Sequence, residues 1–423
     1  MRTAVAVIGL LALAALGACS KTNPNYCAEA PLHNCSLLDS GSDGPGGCTT
    51  NAECVPKVCD TQMHMCVACT ADDTSACTGT TPACVNDACV SCTMDAQCAS
   101  GVCRADGSCG DESSTLYATV TAAGGAACTK TDKCTLTAAL AKLSATTTVI
   151  HLDPGTYTDA LALTKDAVLV GRGAIVERTS GQVASVAAGK NVAFEELVLR
   201  ASTTSSGVGG VSIGGGALVT ISGCEVGPTE GIGVAMASGG SLVIARSSIH
   251  DNLLGGVAVG GSTTSSLLDL TNTMIYINGG NAFSQNIGGI SISGSLLAGS
   301  RIDYVTVVDN GANNNASAHA GGIVCDLSTF SITNSIIAHN TVGNNASAAN
   351  ANTFGMCAAT TGDLVQVGLD DLAMRDVANH DYHLTAGSTA EGHATSTGIS
   401  VDIDGDARPQ GTGYDSGADE LAP

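Results

Sequence analysis

The chain of 423 residues contains no tryptophan, four phenylalanines and seven tyrosines. Aromatic platforms that stack on a sugar ring or a base are therefore scarce. Basic residues are few as well: 16 Lys and Arg stand against 38 Asp and Glu, a net charge of −22. Such a surface repels nucleic acid and anionic lipid head groups, and repels polyuronates too unless cations bridge them. What the chain has instead is 53 glycines and many small aliphatic residues. A core without large side chains must be layered from Val, Ile, Leu and Ala, which fits a repeat fold better than a globular α/β enzyme.

The N-terminus reads as an export signal. Arg2 precedes an apolar run from Ala4 to Leu16, too short for a spanning helix. The run ends in Leu16-Gly17-Ala18-Cys19, which resembles the bacterial lipobox. That resemblance implies cleavage before Cys19, lipidation of its thiol and anchoring to a membrane; Ser20 after the Cys implies the outer membrane or cell surface. Residues 1–18 would be the signal peptide, and 19–47 the lipidated Cys and a flexible linker ending SLLDSGSDGPGG.

There are 20 cysteines, fourteen of them between Cys27 and Cys109. In an exported chain this density implies disulfides that replace a core. Three four-Cys modules fill 48–110: Cys48, Cys54, Cys59, Cys66; Cys69, Cys77, Cys84, Cys89; and Cys92, Cys98, Cys103, Cys109. The texts CTTNAECVPKVC and CTMDAQCASGVC mark an internal repeat. The spacing does not give the pairing. Cys66-x2-Cys69 and Cys89-x2-Cys92 also have zinc-ribbon spacing. The same cysteine period runs straight through them, so disulfides are the preferred reading.

From about Leu116 the texture changes. Gly-led strands recur at Gly209, Gly231, Gly255, Gly288 and Gly321, with spacings of 22, 24, 33 and 33. Each is followed by a second strand closing on a polar turn, and Asn252, Asn278, Asn310 and Asn340 would stack there as a ladder. Alternation points Val211/Ile213, Val234/Met236, Val257/Val259, Ile290/Ile292 and Ile323/Cys325 inward. Ser212, Ala235, Ala258, Ser291 and Val324 then point outward. The expected fold is all-β, a right-handed parallel β-helix of about eight coils over 116–375, similar to pectin-lyase-like proteins. Cys128-x5-Cys134 followed by TLTAAL resembles a degenerate CSLREA segment, with a capping helix over 136–143. The ending over 376–423 resembles a choice-of-anchor Q domain, a surface β-helix family without an established catalytic role.

β-helix lyases and hydrolases often carry their chemistry on the outer face of the Gly-led strand. Here that row is small and neutral, with Asp326 at one end. No catalytic residue is assigned. Polar groups outside that row are Asp251, Asp309 and His339, each just before a ladder Asn, with Arg246, His250, Tyr276, Arg301 and Asp303 nearby. Solvated turns are the plain alternative, with Arg301 and Asp303 pairing across one strand. The extra residues of the longer repeats fall in 278–287, 310–320 and 340–352. Asn281, Gln285, Asn313, Asn314, Asn344 and Asn345 there are candidates for binding glycan or protein. Cys128 with Cys134 and Cys325 with Cys357 are disulfide candidates, leaving Cys224 as a buried thiol. No cofactor is called for. Asp402, Asp404 and Asp406 invite Ca²⁺, but Gly405 is misplaced for an EF-hand; a closing turn in which Arg408 pairs with an Asp is preferred. The functional expectation is a non-enzymatic surface lipoprotein. A polysaccharide lyase or glycoside hydrolase, and a structural protein without a ligand, are the alternatives.

Overall fold

The computed structural model describes residues 47–422, except 123–126, 203–206, 261–263, 281–286, 314–319, 344, 348–350, 361, 367 and 412. Cys19 and the linker thus lie outside the described residues. Those described form two compact units. One holds 47–78 and 84–90, the first two disulfide modules; the other holds 79–83 and 91–422.

Each module is cross-linked first to third and second to fourth. The pairs are Cys48–Cys59 and Cys54–Cys66, Cys69–Cys84 and Cys77–Cys89, Cys92–Cys103 and Cys98–Cys109. Every cysteine of the zinc-ribbon spacing is consumed by a disulfide. The repeated texts also repeat their hydrogen bonds: Cys59 N donates to Asn51 Oδ1 at 2.8 Å, and Cys103 N to Asp95 Oδ1 at 2.9 Å.

The second unit is a right-handed parallel β-helix of about seven turns. Its first stack, the Gly-led one, runs through Leu161–Leu163, Gln182–Val186, Gly209–Ile213, Ile232–Met236, Gly255–Val259 and Ile290–Ile292, then the starts of Ile323–Thr333 and Thr353–Ala359. The second stack includes Leu218–Ser222 and Ser241–Ala245. The third includes Glu225–Val226 and Ser248–His250. The inward residues Val211, Ile213, Val234, Val257, Ile290 and Ile323 are buried in one continuous core. Outward Ser212, Ala235, Ala258 and Ser291 are half-buried, whereas Val324 keeps the outward register but is covered.

Two single-residue turns repeat up the solenoid. Between the second and third stacks sits one residue with left-handed φ: Glu196, Gly223, Arg246, Asn272, Tyr304 and Asn334 in successive coils. Between the third and first stacks the same role falls to Asp251, Ile277, Asp309 and His339. The next residue then turns inward and forms the ladder. Asn252 Nδ2 donates to Asn278 Oδ1 (2.9 Å), Asn278 to Asn310 (2.9 Å), and Asn310 to Asn340 (3.0 Å). Thr229 closes one end and Asn352 continues the other, at 2.7 and 3.0 Å. This explains the second glycine of each pair. A Cβ on Gly233, Gly256, Gly289 or Gly322 would come within 2.6, 3.1, 3.1 or 3.0 Å of a ladder Nδ2.

A helix, Leu136–Lys142, caps the first strands. Thr135 Oγ1 accepts from Ala138 N at its start, and Leu136 and Ala139 enter the core. Cys128–Cys134 and Cys325–Cys357 are bonded, and Cys224 is a buried free thiol that burial pushes up to about 12. Cys325 lies opposite Gly355, so the strand register alone would keep Cys357 away. The register shifts between residues 325 and 330, Cys357 falls opposite Phe330, and the Cα atoms of the two cysteines are 5.3 Å apart.

The third disulfide module belongs to the second unit and packs against its solenoid. Arg104 grips the buried Glu195 with Nε and Nη2 at 2.8 and 2.7 Å, and Ala105 N adds a third bond at 3.0 Å. Val102 inserts among Tyr117, Val149 and Val170. The C-terminal segment lies along the flank of the solenoid: Leu372, Tyr382, Leu384 and Ala418 cover the outward Met274, Val308, Ile336 and Ala338 of the third stack.

Candidate functional site

Asp251, Asp309 and His339 are drawn into a structural network. Asp309 accepts from Tyr382 OH and bonds His339 Nδ1. His250 bridges Asp251 (2.8 Å) and Glu225 (3.2 Å) and stacks on Tyr276, with ring centroids 4.9 Å apart. Burial works against the His250 charge, but the bonds to Asp251 and Glu225 outweigh it and lift the imidazole to about 9. A group held charged at neutral pH is a poor proton shuttle.

Several expectations are corrected. Arg301 pairs with Asp269 at 2.8 Å, because the register places Asp269 opposite it; Asp303 is buried and accepts from Thr333 and Asn334. Of the binding candidates, Asn281, Gln285, Asn314 and Asn344 lie outside the described residues. Asn313 is 5% exposed, while Asn345 is exposed and its Oδ1 accepts from Ser347 N. Asp402, Asp404 and Asp406 do not converge on a cation. Asp402 is fully buried, and its oxygens accept from the backbone N–H groups of Asp404, Asp406 and Glu420 at 2.8–3.0 Å. Arg408 pairs with Glu420 at 2.7 Å rather than with an Asp, and lies over the Tyr304 ring at 4.4 Å. Its side chain is fully buried, and Asp415 and Gly417 present their backbone carbonyls to it.

The polar surface that does converge lies elsewhere. The third disulfide module and the segment 401–405 flank the turn between the second and third stacks, leaving a groove. One part has a volume of about 610 Å³, and an adjoining part about 300 Å³. Both share Glu196, Gly223, Arg246, Ile403 and Asp404. Arg172 and Arg104 line the first part, Glu225 and His383 the second. Glu196 and Arg246 occupy left-handed backbone positions with φ of 58° and 47°, held elsewhere in this turn by Gly223, Asn272, Tyr304 and Asn334. Large side chains there are strained, a cost that tends to persist at functional sites.

Most arginines are ion-paired, whereas Arg178 and Arg246 donate to backbone carbonyls instead. Arg104, Arg172, Arg200, Arg301, Arg375 and Arg408 all have carboxylate partners. Arg246 donates Nη2 to Ala105 O at 3.1 Å and has no ion pair among the described residues. Arg172 is loosely held, 3.7 Å from both Asp95 and Glu196, and its buried Nη1 makes no hydrogen bond. The groove thus combines guanidinium donors with carboxylate acceptors. The sequence carried one signal of it: charged residues in a turn column otherwise filled by Gly, Asn and one Tyr.

Among known proteins, a family described as "Family of unknown function (DUF8331)" matches residues 15–115, leaving 116–423 outside. No curated protein matches the sequence. Among solved structures, "Crystal structure of pectate lyase Pel9A" superposes with a TM-score of 0.38 and 16% identity, covering 72% of this chain and 96% of that one. The β-helix assignment rests on the strand registers themselves.

Proposed function

We propose that this chain is an exported, lipid-anchored β-helix protein that binds an extended glycan in the groove over Arg246 without cleaving it. The observation that carries this reading is the presence of Arg172, Glu196, Arg246, Glu225 and Asp404 together in the lining of one open channel. Vicinal hydroxyls accept from guanidinium and donate to carboxylates, so a polyhydroxylated chain satisfies both. An apolar ligand or an amphipathic helix would leave those groups buried without partners. The lipobox-like Leu16-Gly17-Ala18-Cys19 supports the anchor, and the paired cysteines support an oxidising compartment. The CSLREA-like and choice-of-anchor Q-like segments support display at the cell surface.

A second reading has its own observation: Glu196, Glu225 and Asp404 share the groove, and two carboxylates are what a glycosidase requires. A glycan array followed by reducing-end and unsaturated-product assays on each bound polymer separates the two. Retention without product supports binding. Steady turnover abolished by Glu196→Gln or Glu225→Gln replaces it with hydrolysis or elimination. Binding only to proteins would overturn both.

A further inference from the structure

Where the C-terminal hairpin meets the segment 402–420, three side chains from separate stretches converge. His383 belongs to the strand Asp381–Leu384, Asp404 to the turn organised by Asp402, and Asp419 to the chain's last turn. One ligand atom of each lies within 4.8 Å of the others. His383 Nε2 is 3.3 Å from Asp404 Oδ2. Bonds of ~2.1 Å at a tetrahedral ion put neighbouring ligand atoms roughly 3.4 Å apart, the spacing that His383 and Asp404 already have.

We propose that His383, Asp404 and Asp419 bind one divalent transition-metal ion, of the zinc or manganese kind, beside the groove. Three independent features agree. First, the other imidazole nitrogen, Nδ1, bonds Asp381, which fixes the ring and leaves Nε2 directed at Asp404. A carboxylate behind a histidine is the usual support of a metal-bound imidazole. Second, Asp419 is 7% exposed; its Oδ2 accepts from Leu384 N at 2.6 Å, and no donor among the described residues reaches its other oxygen. That leaves one oxygen of a carboxylate held in place and free of protein donors, available as a ligand. Third, His383 and Asp404 both line the smaller part of the groove, so an ion held by three protein groups keeps open positions facing it. An imidazole among the ligands favours zinc or manganese over calcium, which takes an all-oxygen shell.

The site stands independently of the glycan reading, because metal uptake is measured without any glycan. The full chain is stripped with chelator, and Zn²⁺ and Mn²⁺ are titrated by calorimetry, with bound metal counted after gel filtration. One equivalent is expected in the wild type. His383→Ala and Asp404→Asn should each weaken binding at least tenfold, and Asp381→Asn, which acts only by positioning His383, roughly tenfold. Asp404 is 56% exposed, so Asp404→Asn tests the site without disturbing the core. His339→Ala, at another His–Asp pair, should bind like the wild type. Absence of a saturable equivalent, or uptake unchanged in both His383→Ala and Asp404→Asn, overturns the proposal.

Discussion

Asn310→Ala should destabilise the β-helix unit by about 3–5 kcal/mol, at about 1–1.5 kcal/mol for each buried group it strands. The Asn310 side chain is fully buried. Its Nδ2 donates to Ile275 O at 2.8 Å and to Asn340 Oδ1 at 3.0 Å, and its Oδ1 accepts from both N and Nδ2 of Asn278 at 2.9 Å. Alanine leaves the Asn278 N–H, one hydrogen of the Asn278 amide and the Ile275 carbonyl without those bonds, in a place water does not reach. The loss should not be repaired locally, because the ladder residues above and below are held by their own bonds. With unfolding entropy near 2.1 cal/mol/K per residue, a body of roughly 330 residues loses about 4–7 °C of melting temperature for this change. Thermal unfolding of Asn310→Ala, Asn278→Ala and the double variant is the assay. The two residues share bonds, so the double should cost about 1–2 kcal/mol less than the sum. Exposed Asn345→Ala serves as the unaffected control. A melting temperature within 1 °C of wild type for Asn310→Ala, or strict additivity, would refute the ladder as a source of stability.

The His250 imidazole is raised to about 9, so its contribution is fully present below the unfolded value near 6.5 and is lost as pH rises through 9. Its partners Glu225 and Asp251 are partly exposed, so the loss is on the order of 2 kcal/mol; melting curves from pH 7 to 10 should converge with those of His250→Gln, and parallel curves would contradict this. Arg104→Ala leaves Glu195 buried and unpaired, at a cost of about 2–4 kcal/mol, and should speed hydrogen exchange at 92–109; unchanged exchange there would show that the module is held by other contacts. Cys19→Ala should move the protein from membrane to soluble fractions, and a variant that stays membrane-bound sinks the anchor assignment.

What could be read from the sequence was what repeats locally. The glycine pairs, the alternation of Val211, Ser212 and Ile213, and the Asn column recur with each coil, because every coil solves the same packing problem. The disulfide pairing was not legible, since four cysteines in a row allow three connectivities and spacing does not choose among them. The groove was not legible for a different reason. Arg246 meets Ala105 across 141 residues, and its other wall comes from residues 401–405, so no window of sequence contains the site. The same applies to Asp404: its neighbours Asp402 and Asp406 suggested a cation loop, yet Asp402 is spent on backbone amides and Asp404 faces His383.

The most direct test of the groove is glycan binding by Arg246→Asn. Asparagine already occupies the equivalent left-handed position at Asn272 and Asn334, so the turn should keep its conformation while the guanidinium is removed. A charge-assisted bond of about 1.5–3 kcal/mol corresponds to at least a tenfold loss of affinity. That loss is expected by calorimetry against the polymer the wild type retains, with thermal unfolding unchanged. Wild-type affinity in Arg246→Asn would contradict that expectation.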